Sequence, residues 1–373
     1  MKILLLSDPN SVHTIKWATS IADNNVSVLI FGLRKLTVND YENHNNINVI
    51  TIDNQLKEQE GSLKKISYLK VIPLLKKTIK NFSPDIVHAH YASSYGLLGA
   101  LSGFHPFIIS VWGSDIYSFP KKSILHKSII KYNLKRADKI LSTSFVMAKE
   151  TENYTTKKIE VTPFGIDMEK FKPFHVKNLF NENDIIIGTV KTLEKKYGMD
   201  YLIKAFKIVS NNHPNLALKL LIVGGGSLKN ELIQLTNSLK INSRTIFTDN
   251  VPFVEVPNYH NMIDISVFPS IYDSESFGVA VLEASSCENP VIVSNVGGLP
   301  EVVKNNLTGL VVPPKNEVEL AKAIEKLILD KNLRIQYGKS GRLHVEKLYN
   351  WKNNVRQMLS IYSDVIKKNS TFS

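Results

Sequence analysis

The chain contains 373 residues, and at about 150 residues per domain this length predicts two domains. Hydrophobic residues make up 43% and charged residues 21% of the chain, proportions that exclude a disordered, collagen-like or coiled-coil protein. The net charge of +12 favours an anionic partner, which leaves open nucleic acid, an anionic membrane and a phosphorylated substrate.

The cysteine count and the apolar segments indicate the cellular compartment of the protein. Cys287 is the only cysteine, so neither a disulfide within the chain nor a thiolate metal cluster can form. The apolar run at the start ends at Ser7, too early for a signal peptide, and no stretch reaches the roughly 18 apolar residues of a membrane span. We therefore expect a cytoplasmic protein that touches a membrane only peripherally, on its inner face.

Short apolar, β-branched runs alternate with longer amphipathic runs, a pattern typical of a parallel sheet covered by helices. The pattern restarts after an irregular stretch at 173–184, which predicts two doubly wound α/β domains, 1–174 and 175–350, followed by a last amphipathic helix within 351–373. The predicted strands are Lys2–Ser7, Val26–Phe31, Val49–Ile52, Ile86–Ala89, Phe107–Val111, Lys139–Ser142, Ile185–Val190, Leu218–Val223, Thr245–Phe247, Ile265–Phe268, Val291–Ser294 and Gly309–Val312.

The stretch 121–139 contains a predicted helix with separate basic and apolar faces. Such a helix suits an anionic membrane surface, but a core-facing helix with a basic solvated side gives the same pattern. Tyr132 is its only tyrosine, phenylalanine or tryptophan, which argues against nucleic acid as the partner. Its basic residues are Lys121, Lys122, Lys127, Lys131, Lys135, Arg136 and Lys139.

Two polar groups follow strands of the first domain. His88 and His90 alternate along a strand, so one imidazole should face the interior and the other a crevice, and His90, nearer the strand end, is the better crevice candidate. A structural histidine pair is the competing interpretation, and a metal site ranks below it. Asp115 follows the next strand and could contact an acceptor hydroxyl or cap the next helix.

The segment from Asp273 to Ala284 is the sharpest local feature of the second domain. A helix that starts near Ser276 would present free N–H groups to an anion. Glu275 and Glu283, eight positions apart, could each accept hydrogen bonds from sugar hydroxyls. The competing interpretation makes Glu275 a partner of the helix dipole and Glu283 a solvated residue.

A lysine-rich loop follows the strand that contains Gly188. Lys191 and Lys196 could neutralise the charge on a departing nucleoside diphosphate, although such loops are often merely solvated. The run Gly224-Gly225-Gly226 lacks the third glycine and the acidic residue of a dinucleotide-binding motif.

Four groups of residues, in this order, resemble glycosyltransferase family 4, whose members are retaining nucleotide-sugar glycosyltransferases with the two-domain GT-B fold. The groups are Val161-Thr162-Pro163-Phe164-Gly165-Ile166-Asp167 with Phe171 and Pro173; Phe268-Pro269-Ser270 with Glu275-Ser276-Phe277-Gly278 and Glu283; Pro290-Val291-Ile292 with Gly297-Gly298-Leu299-Pro300-Glu301; and Gly309-Leu310-Val311-Val312-Pro313-Pro314.

The resemblance implies two facing Rossmann-like domains, with the acceptor on 1–174, the donor on 175–350 and a C-terminal crossover helix at 351–373 that returns to the first domain. It also implies that no metal or cofactor is needed besides the nucleotide-sugar, and that no side chain has to act as a nucleophile. The residues that it assigns are Glu275, Phe277, Gly278, Val279 and His90 to the donor sugar, Glu283 to the ribose, and Lys191 and Lys196, with Gly188 nearby, to the diphosphate.

The sequence departs from the family pattern at three places. Lys191 stands where an arginine is usual, which keeps the charge but loses bidentate geometry. Pro9-Asn10-Ser11 stands where a glycine-rich loop is usual, which puts backbone contacts from that loop to the phosphate in doubt. We assign Asn10 and Asp115 to the acceptor side. Tyr197 looks like an insertion before Gly198, which leaves the choice between Lys195 and Lys196 open.

We therefore expect a glycosyltransferase that moves a sugar from a UDP-sugar to a lipid-linked or cell-envelope polysaccharide. Two alternatives stay open at this point. One is a nucleotide-sugar epimerase of the same fold, and the other is a non-catalytic protein that binds an anionic glycan or a membrane.

Overall fold

All strand pairs in the described residues are parallel, and the strands form two separate sheets. The computed structural model describes residues 1–52, 68–177 and 179–370. These divide into two compact units, one of residues 1–163 with 353–373 and one of residues 164–352. The predicted pair of Rossmann-like α/β domains is thereby confirmed.

The sheet of the first unit has the order β3-β2-β1-β4-β5-β6-β7 within the described residues. Its strands are β1 (Lys2–Leu6), β2 (Ser27–Gly32), β3 (Ile47–Thr51), β4 (Ile86–His90), β5 (Phe107–Val111), β6 (Lys139–Ser142) and β7 (Ile159–Val161). Its helices are α1 (Val12–Ala22), α2 (Ile72–Phe82), α3 (Ser94–Ser102), α4 (Ser114–Tyr117), α5 (Ile124–Arg136) and α6 (Phe145–Thr151).

The sheet of the second unit has the order β10-β9-β8-β11-β12-β13. Its strands are β8 (Ile185–Val190), β9 (Leu218–Val223), β10 (Thr245–Phe247), β11 (Ile265–Phe268), β12 (Val291–Ser294) and β13 (Gly309–Val312). Its helices are α7 (Met199–Asn212), α8 (Lys229–Ser238), α9 (Val256–Met262), α10 (Val279–Ser286), α11 (Leu299–Val302), α12 (Glu317–Leu329) and α13 (Lys331–Tyr349).

Each predicted strand is found, because strands buried on both faces appear in the sequence as continuous apolar runs. The pattern did not indicate β7, a three-residue strand at the sheet edge with Glu160 at its centre. In both sheets the direction of winding reverses beside the first strand of the unit, between β1 and β4 and between β8 and β11. Parallel sheets of this kind bind ligands at the carboxyl ends of the strands, at this switch point.

The boundary between the units falls after residue 163, eleven residues before the predicted end of the first domain. The intervening segment packs on the second unit through aromatic contacts, which the composition of 173–184 does not reveal. Phe164 lies with its ring centroid 5.9 Å from that of Phe277, and Phe171 lies at the same distance from Phe253.

The last helix, α14 (Trp351–Ser370), starts in the second unit and belongs to the first unit from Asn353 onward. Asn354 donates a hydrogen bond to the carbonyl of Pro163 at 2.6 Å. The Tyr362 hydroxyl is fully buried 2.8 Å from Nδ1 of His88. The predicted stretch 351–373 extends three residues beyond the described part of the chain.

Candidate functional site

Lys191 and Glu275 meet at the switch point of the second sheet. They follow the neighbouring strands β8 and β11, and they are 84 positions apart in the chain. Lys191 Nζ lies 3.1 Å from Oε2 of Glu275 and donates to Oε1 at 3.3 Å. Both side chains are largely buried, so a charged pair has been removed from bulk water at the edge where a ligand is expected.

Lys191 keeps its charge. Burial by itself lowers the pKa of Lys191, but the Glu275 carboxylate, with Tyr197 and Glu283, outweighs burial, so that this pKa lies above its ordinary value. Oε2 of Glu275 is buried and accepts no hydrogen bond from the described residues. The arrangement is therefore an ammonium held beside a carboxylate whose Oε2 lies in the ion pair without a hydrogen bond.

Two close backbone contacts hold the loops that carry this pair. Gly198 has φ +64°, and a Cβ there would lie 2.2 Å from the carbonyl oxygen of Pro269. Gly297 has φ +51°, and a Cβ there would lie 2.1 Å from the carbonyl oxygen of Glu275. Larger residues would separate the loops, so glycine at these two positions keeps Glu275 against the loop that contains Lys191.

Helix α10 begins at Val279, not near Ser276 as predicted. Gly278 precedes it with φ 98°, a left-handed conformation that cannot continue a helix backward. Glu275 therefore lies outside the helix and is not a partner of its dipole. The Phe277 side chain is buried between aromatic rings, so only its backbone is available to a donor, whereas Val279 opens the helix with an N–H free of an intrahelical partner.

Glu283 is only 8% exposed, which contradicts the interpretation of a solvated residue. Its Oε2 lies 3.7 Å from Nε2 of His260, a fully buried residue whose two ring nitrogens make no hydrogen bond with the described residues. Sequence reasoning missed His260, because no local pattern marks a histidine that becomes the neighbour of a carboxylate 23 positions later.

The structure separates the two adjacent lysines. The side chain of Lys195 is exposed, whereas Lys196 is half-buried with Nζ 4.6 Å from the centre of the Tyr197 ring. Lys191 Nζ lies 4.4 Å from the centre of the same ring. Lys196 thus contacts the same ring as Lys191, and this ring belongs to Tyr197, which the sequence marked only as an insertion.

Gly188, predicted to lie near the diphosphate, is buried three positions before Lys191. It lies inside β8, and a Cβ there would meet the carbonyl oxygen of Leu221 at 2.7 Å, so its absence of a side chain serves sheet packing. The run 224–226 lies against the lysine loop, where Leu193 donates to the carbonyl of Gly225 at 2.8 Å.

At the switch point of the first sheet, His88 and His90 are both buried, so the predicted contrast between an interior and an accessible imidazole is not observed. His88 contacts Tyr362 and Ser110, each at 2.8 Å, and His90 contacts Ser7 at 3.0 Å. Burial lowers the pKa of His88 to about 3, and burial, with smaller contributions from the neighbouring His88 and His13, holds the pKa of His90 well below its ordinary value. Both rings are therefore neutral at pH 7.

The two residues assigned to the acceptor side have structural partners. The buried Asp115 carboxylate accepts hydrogen bonds from the backbone N–H groups of Ala92 and Gly113, both at 2.8 Å. Burial raises the pKa of Asp115 although these hydrogen bonds oppose the change. The Asn10 amide donates to the carbonyl of Lys35 and accepts from Thr37, both at 2.7 Å. Both side chains hold loops in this structure.

The predicted helix at 121–139 is α5, preceded by a 3-10 turn, and its apolar residues are divided between core and surface. Ile130 and Leu134 are buried in the core, whereas Ile124 and Leu125, in the first turn, are 85% and 68% exposed. The core-facing interpretation thus describes the second half only, and the first half carries exposed apolar groups among lysines. Among the described helices, none has the combined length and apolarity needed to cross a membrane.

Comparisons with known proteins agree with this geometry. The family model described as "Glycosyl transferase 4-like" matches residues 2–144, and that described as "Glycosyl transferases group 1" matches residues 170–344. An uncharacterized glycosyltransferase of Methanocaldococcus jannaschii is 30% identical over 339 residues, which cover 88% of this chain and 89% of the relative. The capsular polysaccharide biosynthesis glycosyltransferase CapM of Staphylococcus aureus is 30% identical over 284 residues, which cover 73% of this chain and 69% of CapM.

A solved structure shows the same fold. Sucrose-phosphate synthase of Thermosynechococcus elongatus superposes with a TM-score of 0.83 at 20% identity, covering 99% of this chain and 100% of that one. The two parallel-sheet units and the two family matches define a GT-B glycosyltransferase. The chain belongs to glycosyltransferase family 4, which sets aside the non-catalytic alternative.

The neutral histidines of β4 generate a testable pH dependence. A buried histidine with a depressed pKa contributes stability that is complete above about pH 6.5 and lost as the pH falls toward the folded-state pKa. His88→Gln keeps hydrogen-bonding groups but does not titrate, so we expect the loss of unfolding free energy between pH 7 and pH 5 to shrink by about 2 kcal/mol. Urea denaturation at both pH values measures this difference.

The control is His175→Gln, because His175 is exposed. It should leave the pH dependence of the wild-type protein unchanged. Equal pH dependence in the wild-type and His88→Gln proteins would show that His88 carries a proton in the folded state.

Proposed function

We propose that the chain transfers a sugar from a UDP-sugar to a lipid-linked or cell-envelope polysaccharide acceptor, with retention of the anomeric configuration and without a metal. The observation that carries the diphosphate part of the donor is the buried Lys191–Glu275 pair at the switch point of the second sheet, with Lys196 on the same Tyr197 ring as Lys191. The family resemblance supports retention, and the role named for CapM, capsular polysaccharide biosynthesis, supports the acceptor class.

In this proposal the chemistry is electrostatic. The bond between the anomeric carbon and the diphosphate oxygen breaks and leaves negative charge on the nucleoside diphosphate, while the acceptor oxygen bonds to the anomeric carbon and passes its proton to the leaving phosphate. The ammonium groups of Lys191 and Lys196 stabilise that charge where it develops, in a partly water-excluded place. Oε2 of Glu275 accepts a hydrogen bond from a hydroxyl of the donor sugar, and Glu283 accepts hydrogen bonds from the ribose.

The acceptor part of the proposal places the first unit at an anionic lipid surface. Ile124 and Leu125 project beside Lys121, Lys122 and Lys127, all of them exposed. Apolar side chains that enter the interface and lysines that meet anionic headgroups bind such surfaces together more strongly than either group alone.

Glu275→Gln tests the site. The amide keeps the shape of the side chain but removes the charge that orients Lys191, so we expect the transfer rate to fall by about 100-fold or more. The rate is measured as release of nucleoside diphosphate in the presence of acceptor, and circular dichroism verifies the fold. Wild-type activity in a folded Glu275→Gln protein would contradict the assignment.

Lys196→Ala tests the diphosphate contact, and the neighbouring Lys195→Ala is its matched control because it removes the same charge one position away. We expect Lys196→Ala to weaken binding of UDP by about tenfold and Lys195→Ala to leave it nearly unchanged. Isothermal titration with UDP and GDP measures both effects and identifies the base. Equal losses in the two variants would indicate only a general effect of charge.

The membrane contact is tested by cosedimentation with vesicles of phosphatidylglycerol and phosphatidylcholine. Replacing Ile124 and Leu125 with serine removes the exposed apolar pair, and we expect binding to fall by about tenfold or more. The control replaces Ile335 and Leu343, exposed residues of α13, with serine. Equal binding by both double variants, or no binding by the wild-type protein, would refute the contact.

A further inference from the structure

Tyr197 is fixed by its surroundings. It ends the 3-10 turn Lys195–Tyr197, its backbone N–H donates to the carbonyl of Glu194 at 2.9 Å, and its half-buried side chain packs against the core of the second unit. Ile271 donates to the carbonyl of Lys196 at 2.9 Å, which ties the turn to the loop after β11. The ring is therefore a rigid surface at the carboxyl edge of the sheet.

Two ammonium groups lie against this one ring. Nζ of Lys191 is 4.4 Å and Nζ of Lys196 is 4.6 Å from the ring centre, both within the range of a cation–π interaction. The ring of Tyr197 is therefore a contact that the two ammonium groups share. The attraction gains strength because the Lys191 side chain is only 15% exposed.

We infer that Tyr197 is a positioning residue that holds Lys191 and Lys196 together as one binding group for the diphosphate of the donor. The inference rests on the proposed function and extends it to a residue that touches neither the reacting atoms nor, by itself, the anion.

An aromatic ring suits this task better than a second carboxylate would. A carboxylate orients a lysine but also neutralises it, and it must give up the ammonium before a phosphate can bind. A ring attracts both cations without cancelling their charge, so both remain available to an anion. Glu275 already orients Lys191 in the first way, whereas Tyr197 contacts both lysines in the second.

The experiment compares nucleoside diphosphate with nucleoside binding by isothermal titration, using UDP, GDP, uridine and guanosine. The variants are Tyr197→Leu and Tyr197→Phe. The matched control is Tyr201→Leu, because Tyr201 packs against the same core and its ring lies 5.1 Å from Nζ of Lys204. We expect Tyr197→Leu to weaken diphosphate binding about fivefold to tenfold, with nucleoside binding unchanged. Tyr197→Phe and Tyr201→Leu should resemble the wild-type protein.

A second measurement keeps the inference testable if Tyr197→Leu does not fold. Phenylalanine with a fluorinated ring at position 197 keeps the shape of Phe but weakens the attraction of the ring face for cations. Diphosphate affinity should fall stepwise with the number of fluorine atoms, and in a Lys196→Ala background the effect should become smaller. A residue that serves only packing would not produce this trend.

The outcomes separate the two proposals. If the wild-type protein binds no nucleoside diphosphate, the proposed function fails and the inference fails with it. If the wild-type protein binds one, three results overturn the inference alone: unchanged affinity in folded Tyr197→Leu, equal loss of nucleoside and diphosphate binding, or indifference to fluorination.

Discussion

The adjacency of β8 and β11 is the constraint on which the contact between Lys191 and Glu275 depends. Parallel pairing of these strands brings the loops that follow them to one edge, so Lys191 and Glu275, 84 positions apart in the chain, approach to 3.1 Å. The first sheet shows the same arrangement. Strands β1 and β4 are neighbours, and Oγ of Ser7 lies 3.0 Å from Nδ1 of His90, 83 positions along the chain. In both units, therefore, the order of the strands determines which polar side chains lie close together.

Burying a charged pair at this edge lowers the stability of the fold, because a lysine and a carboxylate lose hydration when they are buried. The pair is therefore poor support for stability, and an apolar pair of similar volume would serve the fold at least as well. The surrounding features act to keep the charges in place: the close approach at Gly297 holds the Glu275 backbone, and the ring of Tyr197 lies against Lys191. A site that retains charge against this cost is what anion binding requires.

The sequence predicts the two sheets well because buried parallel strands are continuous apolar runs. It also identifies the two carboxylates and two lysines of the second domain as candidates for one site. It does not predict features that depend on distant packing. The start of α10 at Val279 depends on the left-handed backbone conformation of Gly278. The side chain of Leu299, from another part of the chain, packs close to this glycine. The burial of Glu283 depends on α9, which carries His260, and neither residue has a local signal for the other.

The boundary between the two units is another feature that local sequence patterns do not predict. Composition placed it at the irregular stretch after Pro173, but the chain joins the second unit as soon as its aromatic residues find partners there, first Phe164 and then Phe171. Aromatic contacts between segments about a hundred residues apart are invisible to a local reading of composition, since each ring by itself looks like any other core residue.

The two switch points differ in the charge of their side chains, so the two sheets can take different parts in sugar transfer. In the first unit the imidazoles of His88 and His90 are neutral at pH 7, because burial depresses their pKa values, so they offer hydrogen bonds and shape but no charge. In the second unit Lys191 stays charged because Glu275 outweighs its burial. Stabilising a leaving diphosphate requires fixed positive charge, which neutral imidazoles do not supply. At the switch point of the first sheet, the described imidazoles therefore supply uncharged hydrogen bonds, whereas Lys191 supplies a fixed positive charge at the switch point of the second sheet.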